Sequence, residues 1–204
     1  MNRELIKSNL EIFETLLENV LIMFKNRGYI SNIKELYKKH KPTSITMNNF
    51  NIKSDIDNKM YHVFIHNVNI NSIKKNSDVD DFLSKNVNNV KILLVPTVNK
   101  KILTQVLTKY PNSVVFRFSE MLENITEKIF IPKHTLMDEK SKEELLKLFK
   151  LTNLPKMSLL EPMARYYGAK LNDVFKIERN SVLSGKSIYY RYVTYKTDDI
   201  NIFF

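Results

Sequence analysis

The chain has 204 residues, 43% of them hydrophobic, enough for one large domain or two small ones with real cores. It has no cysteine, which excludes a disulfide framework and thiolate metal sites and fits a reducing, intracellular compartment. Its 32 Lys and Arg against 22 Asp and Glu leave a net charge of +10, which points to an acidic partner, nucleic acid before an anionic surface.

The charge is spread. Residues 150–204 hold nine Lys and Arg and five Asp and Glu, net +4, which leaves +6 for the first 149 residues. Neither part is a basic tail, so weak, local DNA contact is expected rather than a dedicated binder. Asn, Lys and Ile are abundant and glycine is scarce, a bias of AT-rich coding. No apolar run approaches the ~20 residues that a membrane span needs, so no membrane is expected. The opening MNRELIKSNLEIF is interrupted by Glu4, Lys7 and Glu11 and is not expected to be a signal peptide.

In chain order, Ile6, Leu10, Phe13, Leu17, Val20, Leu21 and Phe24 recur at spacings of three and four, which predicts a helix over 3–26. Gly28 suits the left-handed position after its end. Ser31 is placed to cap a short second helix that stops at Pro42. Residues 43–59, polar and without period, read as loop. MYHVFIHNV (60–68) reads as a strand, 78–87 as a helix, VKILLV (90–95) as a strand buried on both faces and ended by Pro96, 98–109 as a helix and SVVFRF (113–118) as a strand. Strand, helix and strand at this spacing predict a parallel α/β unit with helices on both faces. Near residue 125 a second part begins. Asp138 is placed to cap the helix 139–150, whose Glu139, Glu143 and Glu144 sit early, where the helix dipole favours them. NLPK (153–156) is a break. Pro162 and Gly168 bracket a short helix. DVFKIERN and KSIYYRYV read as two strands joined by SVLSG, with Gly185 at the turn. Leu145, Leu148, Phe149, Phe175 and Ile177 are the expected core of this part. There are no internal repeats.

Reactive constellations are scarce. His62 and His66 would share a strand face but lie about 13 Å apart by strand rise, too far to share one metal. His40 and His134 fall in expected loops without partners. The nearest matches to an Asp-x-Lys nuclease motif are Asp57 with Lys59 and Asp138 with Lys140. That chemistry needs strand carboxylates on Mg²⁺, and the strands 60–68 and 90–95 carry no acid. One glycine in the first 160 residues rules out a Gly-rich phosphate loop, and no Ser-His-Asp pattern stands out. Basic runs occur at Lys38, Lys39 and Lys41 and at Lys100 and Lys101. The second opens a helix after a buried strand, where Thr97, Lys100, Lys101 and backbone N–H groups can meet a phosphate. Tyr166, Tyr167, Tyr189, Tyr190, Tyr192 and Tyr195 load the last part with tyrosine, a residue suited both to sheet packing and to interfaces.

NLPKMSLLEPMARYYGAKLNDVFKIERNSVLSGKSIYYRYV (153–193) resembles the C-terminal domain of the fifth subunit of eukaryotic RNA polymerases, a domain with an equivalent among the archaeal polymerase subunits. The resemblance rests on Leu154-Pro155, Pro162-x-Ala164-Arg165-Tyr166-Tyr167-Gly168, Val174-x-Lys176-Ile177-x-Arg179, Ser184-Gly185 and Tyr190-Arg191. It extends upstream through 124–151, with Pro132-Lys133-His134 and a Glu-Leu-Leu helix. The first half matches more weakly, at NRGY (26–29) and 95–101, and 40–90 does not align. The archaeal equivalent lacks this half. Lys170-Leu171-Asn172-Asp173 departs from the family's usual Lys-Arg-Gly, and 194–204 runs past its usual end.

The resemblance implies an α/β N-terminal jaw domain over 1–125, nuclease-like in its three-layer topology but without the active site, and a small α+β assembly domain over 126–204. It implies a non-catalytic subunit of the eukaryotic or large-DNA-virus type. The assembly domain would dock on the largest subunit, with Pro162, Arg165, Tyr166, Tyr167, Tyr190 and Arg191 as candidate interface residues. The jaw would lie beside downstream duplex DNA, with Thr97, Lys100 and Lys101 as candidate backbone contacts. Catalytic Mg²⁺ would belong to the largest subunits, so no cofactor or metal is expected of this chain. Its place would be the nucleus if cellular, or the viral factory in the host cytoplasm and the virion if viral. The alternatives are a Mg²⁺-dependent nuclease-like enzyme and a free DNA-binding transcription factor with a polymerase-like domain.

Overall fold

The computed structural model describes residues 8–41, 49–56, 58–85, 89–110, 112–128, 130–181 and 185–195. The expected helix start at 3–7, Pro42, residues 43–48, Asp57, the helix end at 86–87, Ser184 and the tail from 196 lie outside the described residues. The chain divides into two compact units, 1–124 and 125–204.

In the first unit, helix α1 spans Asn9–Asn26. Ser8 caps it. The Ser8 hydroxyl accepts from the Glu11 N–H, and the Glu11 carboxylate accepts from the Ser8 N–H at 2.6 Å. This reciprocal box is written in the sequence as Ser-x-x-Glu. Phe13, Leu16, Leu17, Val20, Leu21, Met23 and Phe24 are all buried, each contributing about 1.5–3 kcal/mol when removed from water. Gly28 then takes φ 78. Helix α2 (Ile33–His40) is capped by Asn32 and not by Ser31, whose hydroxyl and N–H both donate to Asp55.

The sheet of this unit runs in the order β1-β2-β3-β4: β1 Asn49–Lys53, β2 Met60–Ile65, β3 Val90–Val95 and β4 Ser113–Arg117. Strands β2, β3 and β4 are parallel, with Ile92 between Val63 and Val114. The expected loop before residue 60 is corrected in part. β1 pairs antiparallel with β2, Ile52 opposite Tyr61. Helices α3 (Asp78–Ser84), α4 (Lys100–Lys109) and α5 (Phe118–Met121) complete the unit. Tyr61 meets Phe24 of α1 at 5.0 Å between ring centres, and Phe64 meets Phe82 of α3 at 5.2 Å. Residues three apart on a strand face opposite ways, so a helix covers each face. Lys91 to Val95 are accordingly all buried.

The second unit is a mixed sheet in the order β5-β7-β8-β6: β5 Lys133–Leu136, β6 Lys156–Ser158, β7 Val174–Ser181 and β8 Gly185–Thr194. The hairpin β7–β8 is the expected one, and two short strands not read from the sequence flank it. Helix α6 (Glu139–Leu148) is capped by Asp138, which accepts from the Ser141 N–H at 2.8 Å. Its Leu145 packs with Val174 and Tyr192. Helix α7 (Pro162–Tyr167) starts on its proline and ends at Gly168, φ 65. It lies on the other face, where Tyr167 meets Phe175 at 5.8 Å. Two expected core residues are corrected. Leu148 is 78% and Phe149 51% exposed, because α6 stops at Leu148 and Phe149 is already extended.

Candidate subunit and nucleic-acid interfaces

Pro96 follows the buried β3, and the chain emerges at the carboxyl end of the parallel strands. In open α/β sheets ligands meet the protein at this end. Thr97, Lys100 and Lys101 are exposed there. Asn99 caps α4 by accepting from the Ile102 N–H at 2.9 Å, so the lysines are its first two residues. The junction is braced. The Ile70 N–H donates to the Thr97 carbonyl, Ile70 bridges Val98, and Arg117 Nε donates to the Val98 carbonyl at 3.1 Å. This ties the loop after β2 to the segment that opens α4. Sequence reasoning missed this joint, because nothing local marks Ile70 as the partner of Val98.

Lys91 also sits in this unit, but it faces inward. It is 2% exposed, and its ammonium donates to the Leu83 carbonyl in the last turn of α3. Burial lowers its pKa, and its charge serves the helix end. His62 and His66 do not form a pair. The imidazole of His62 lies between Asn51 Oδ1 (2.6 Å) and Asn89 Nδ2 (2.8 Å), while β2 ends before His66. Among the described residues no three His, Asp or Glu gather to hold a metal. Asp138, half of one nuclease-like match, is held by its own helix cap, and the N–H and hydroxyl of Ser141 lower its pKa.

The candidates of the second unit separate by burial. Arg165 (7% exposed) and Tyr166 (2%) are internal, and Arg165 Nε donates to the Leu160 carbonyl. In the isolated chain both belong to the packed interior of the unit. Pro162, Tyr167, Tyr190 and Arg191 are half-buried. Tyr190 packs beside Leu145 and Tyr192, and Arg191 pairs with Glu161 at 3.5 Å. The open aromatic surface lies at Tyr189 and Tyr195, with Ile188 beside Tyr189. The tyrosine pattern contained the first two without separating them from the core ones.

Two mixed α/β units, one with a basic strand end and one with a hairpin-centred sheet, define a scaffold without a gathered set of catalytic groups among the described residues. Residues 123–193 match the family described as RNA polymerase Rpb5, C-terminal domain. The chain is 28% identical over 199 residues to "DNA-directed RNA polymerase subunit 5" of Acanthamoeba polyphaga mimivirus, covering 93% of this chain and 96% of that one. It is 25% identical over 186 residues to "DNA-directed RNA polymerases IV and V subunit 5B" of Arabidopsis thaliana, covering 84% and 85%. It is 41% identical over 78 residues to "DNA-directed RNA polymerases I, II, and III subunit rpabc1" of Dictyostelium discoideum, covering 37% and 40%. Residues 123–193 thus carry the C-terminal domain of fifth subunits of eukaryotic-type RNA polymerases, and the chain is similar to such subunits over nearly its whole length.

Proposed function

We infer that the chain is a structural subunit of a multisubunit DNA-directed RNA polymerase. The observation that carries this is the match of 123–193 to the Rpb5 C-terminal domain, joined to likeness over nearly the whole length of a viral relative. A tagged chain expressed in its natural setting should co-purify with polymerase in stoichiometric amount. A chain that elutes alone is a free factor instead.

Within that reading we propose finer roles. The unit 125–204 docks on the largest subunit through the half-buried Pro162, Tyr167, Tyr190 and Arg191 and their exposed neighbours. The unit 1–124 acts as the jaw, nuclease-like in topology without the active site, and lies beside downstream duplex DNA. It touches backbone phosphates through Thr97, Lys100 and Lys101. No recognition helix or zinc module offers base-edge contacts, so the contact is independent of sequence. Catalysis and its Mg²⁺ belong to the largest subunits, and the protein works in a nucleus or in a viral factory and virion. The nuclease alternative is disfavoured because β2 and β3 present no carboxylate. Incubation with Mg²⁺ or Mn²⁺ and duplex DNA should leave the DNA intact.

A further inference from the structure

The second sheet is unevenly paired. β8 meets β7 along nearly its whole length, from Gly185 opposite Ser181 to Tyr192 opposite Val174, without a bulge. On the other edge of β8, β6 reaches only Tyr192, Val193 and Thr194. Among the described residues nothing pairs that edge from Lys186 to Arg191.

The direction of each backbone group follows from two bonds. The Val193 N–H donates to Asp173, on the β7 side, and the Tyr192 N–H donates to Pro155, on the β6 side. Backbone groups alternate along a strand. Lys186, Ile188 and Tyr190 therefore point N–H and C=O at the open edge. Between the charged Lys186 and Arg191 the edge is apolar. Ile188 is 49% and Tyr189 37% exposed, and they lie on opposite faces of the ribbon. A regular, apolar, unpaired edge invites another strand. The charges nearby say which kind. Lys176, Arg179, Lys186 and Arg191 lie on this hairpin against Glu178 and Glu161, which pair with Lys176 and Lys186 and with Arg191 respectively. The surplus is cationic, so a second copy of the same edge is repelled and an acidic segment is attracted.

We propose that the open edge of β8 takes an added β-strand, an extended segment of a neighbouring polymerase subunit that is apolar at its middle and bears carboxylates. The main chain of Lys186, Ile188 and Tyr190 supplies the ladder, and Ile188 and Tyr189 supply one apolar contact on each face. This rests on the polymerase-subunit reading.

Ile188→Pro tests it in the full chain. The proline removes only an outward-facing N–H, which an edge strand tolerates, while Ser187→Pro removes one that bonds β7 and should unfold the sheet. Ile188→Pro should melt like the wild type yet enter the polymerase at least about tenfold less well, a loss of about 1.4 kcal/mol or more. Ile188→Val, which keeps the N–H and most of the apolar contact, should lose much less than Ile188→Pro. Residue-resolved hydrogen exchange gives a second readout that needs no variant. The amides of Lys186, Ile188 and Tyr190 should exchange fast in the isolated chain and slow on assembly. Those of Ser187, Tyr189 and Arg191 should be protected in both states. Equal incorporation of a folded Ile188→Pro, or unchanged exchange at the three amides, overturns the proposal, as does protection that appears on self-association of the isolated chain. A wild-type chain that fails to join any polymerase overturns the subunit reading instead.

Discussion

Asn172 stands at φ 66 in the turn between α7 and β7, at the place where the family's usual Lys-Arg-Gly has its glycine. The turn closes around it. Its N–H donates to the Val193 carbonyl, and the Lys170 N–H donates to Asp173 at 2.7 Å. Left-handed backbone is costly to residues with a Cβ, and Asn bears that cost best. The other non-glycine residues described with positive φ are Asn58, Asn76 and Asn112. The abundance of Asn was legible, but as composition. Its role as a stand-in for glycine is set by backbone geometry that sequence does not display. Asn172→Ala should cost about 1 kcal/mol in urea unfolding of the full chain, while Asn172→Gly should be neutral or slightly stabilising. His62 gives the second residue-scale prediction. Burial first, and then the Lys91 charge, lower its pKa from the ordinary 6.5. The unfolded chain thus takes up that proton more readily than the folded one. The stabilising contribution is complete above 6.5 and is lost as pH falls from there toward the depressed folded value. Thermal melts from pH 7.5 to 5.5 should show a falling midpoint, and His62→Gln should flatten part of that fall. An identical slope in both proteins would remove His62 from the acid response.

Elements were legible where their apolar period was long. α1, β3 and the β7–β8 hairpin follow directly from such patterns. β1 did not, although Asn49, Phe50, Asn51, Ile52 and Lys53 alternate polar and apolar as a half-buried strand should. Three of the five are Asn or Lys, residues that strands disfavour, and its pairing with β2 outweighs that preference. α6 shows the converse. Leu145, Leu148 and Phe149 look like one apolar face, yet Leu148, the last helical residue, is exposed and Phe149 is already extended. Leu145→Ala should therefore destabilise the chain by about 2–5 kcal/mol. Leu148→Ala should stay within about 0.5 kcal/mol, as surface changes do. Matched urea titrations of the two variants read the difference directly. Losses of similar size would restore Leu148 to the core.

At the scale of the molecule, each unit buries its own apolar residues around its own sheet. A fragment of 125–204 should melt cooperatively, although ~80 residues is a small core. The absence of strand acids beside a basic strand end was readable from sequence. The convergence of two loops there was not, because it depends on the bridge between Ile70 and Val98. That convergence braces the segment that exposes Thr97, Lys100 and Lys101. If Lys100 and Lys101 each meet one phosphate, binding of DNA releases one counterion for each. Replacing both with alanine should then lower the salt slope of downstream-duplex binding by about 1.8, at ~0.9 per contact, equally for every sequence. The assembled polymerase is the proper specimen, since two phosphate contacts give the isolated chain little affinity of its own. A slope that stays at the wild-type value in the Lys100→Ala, Lys101→Ala variant would return the pair to an ordinary solvated helix end. A loss that varied with DNA sequence would mean that this end reads bases, which backbone contacts cannot do.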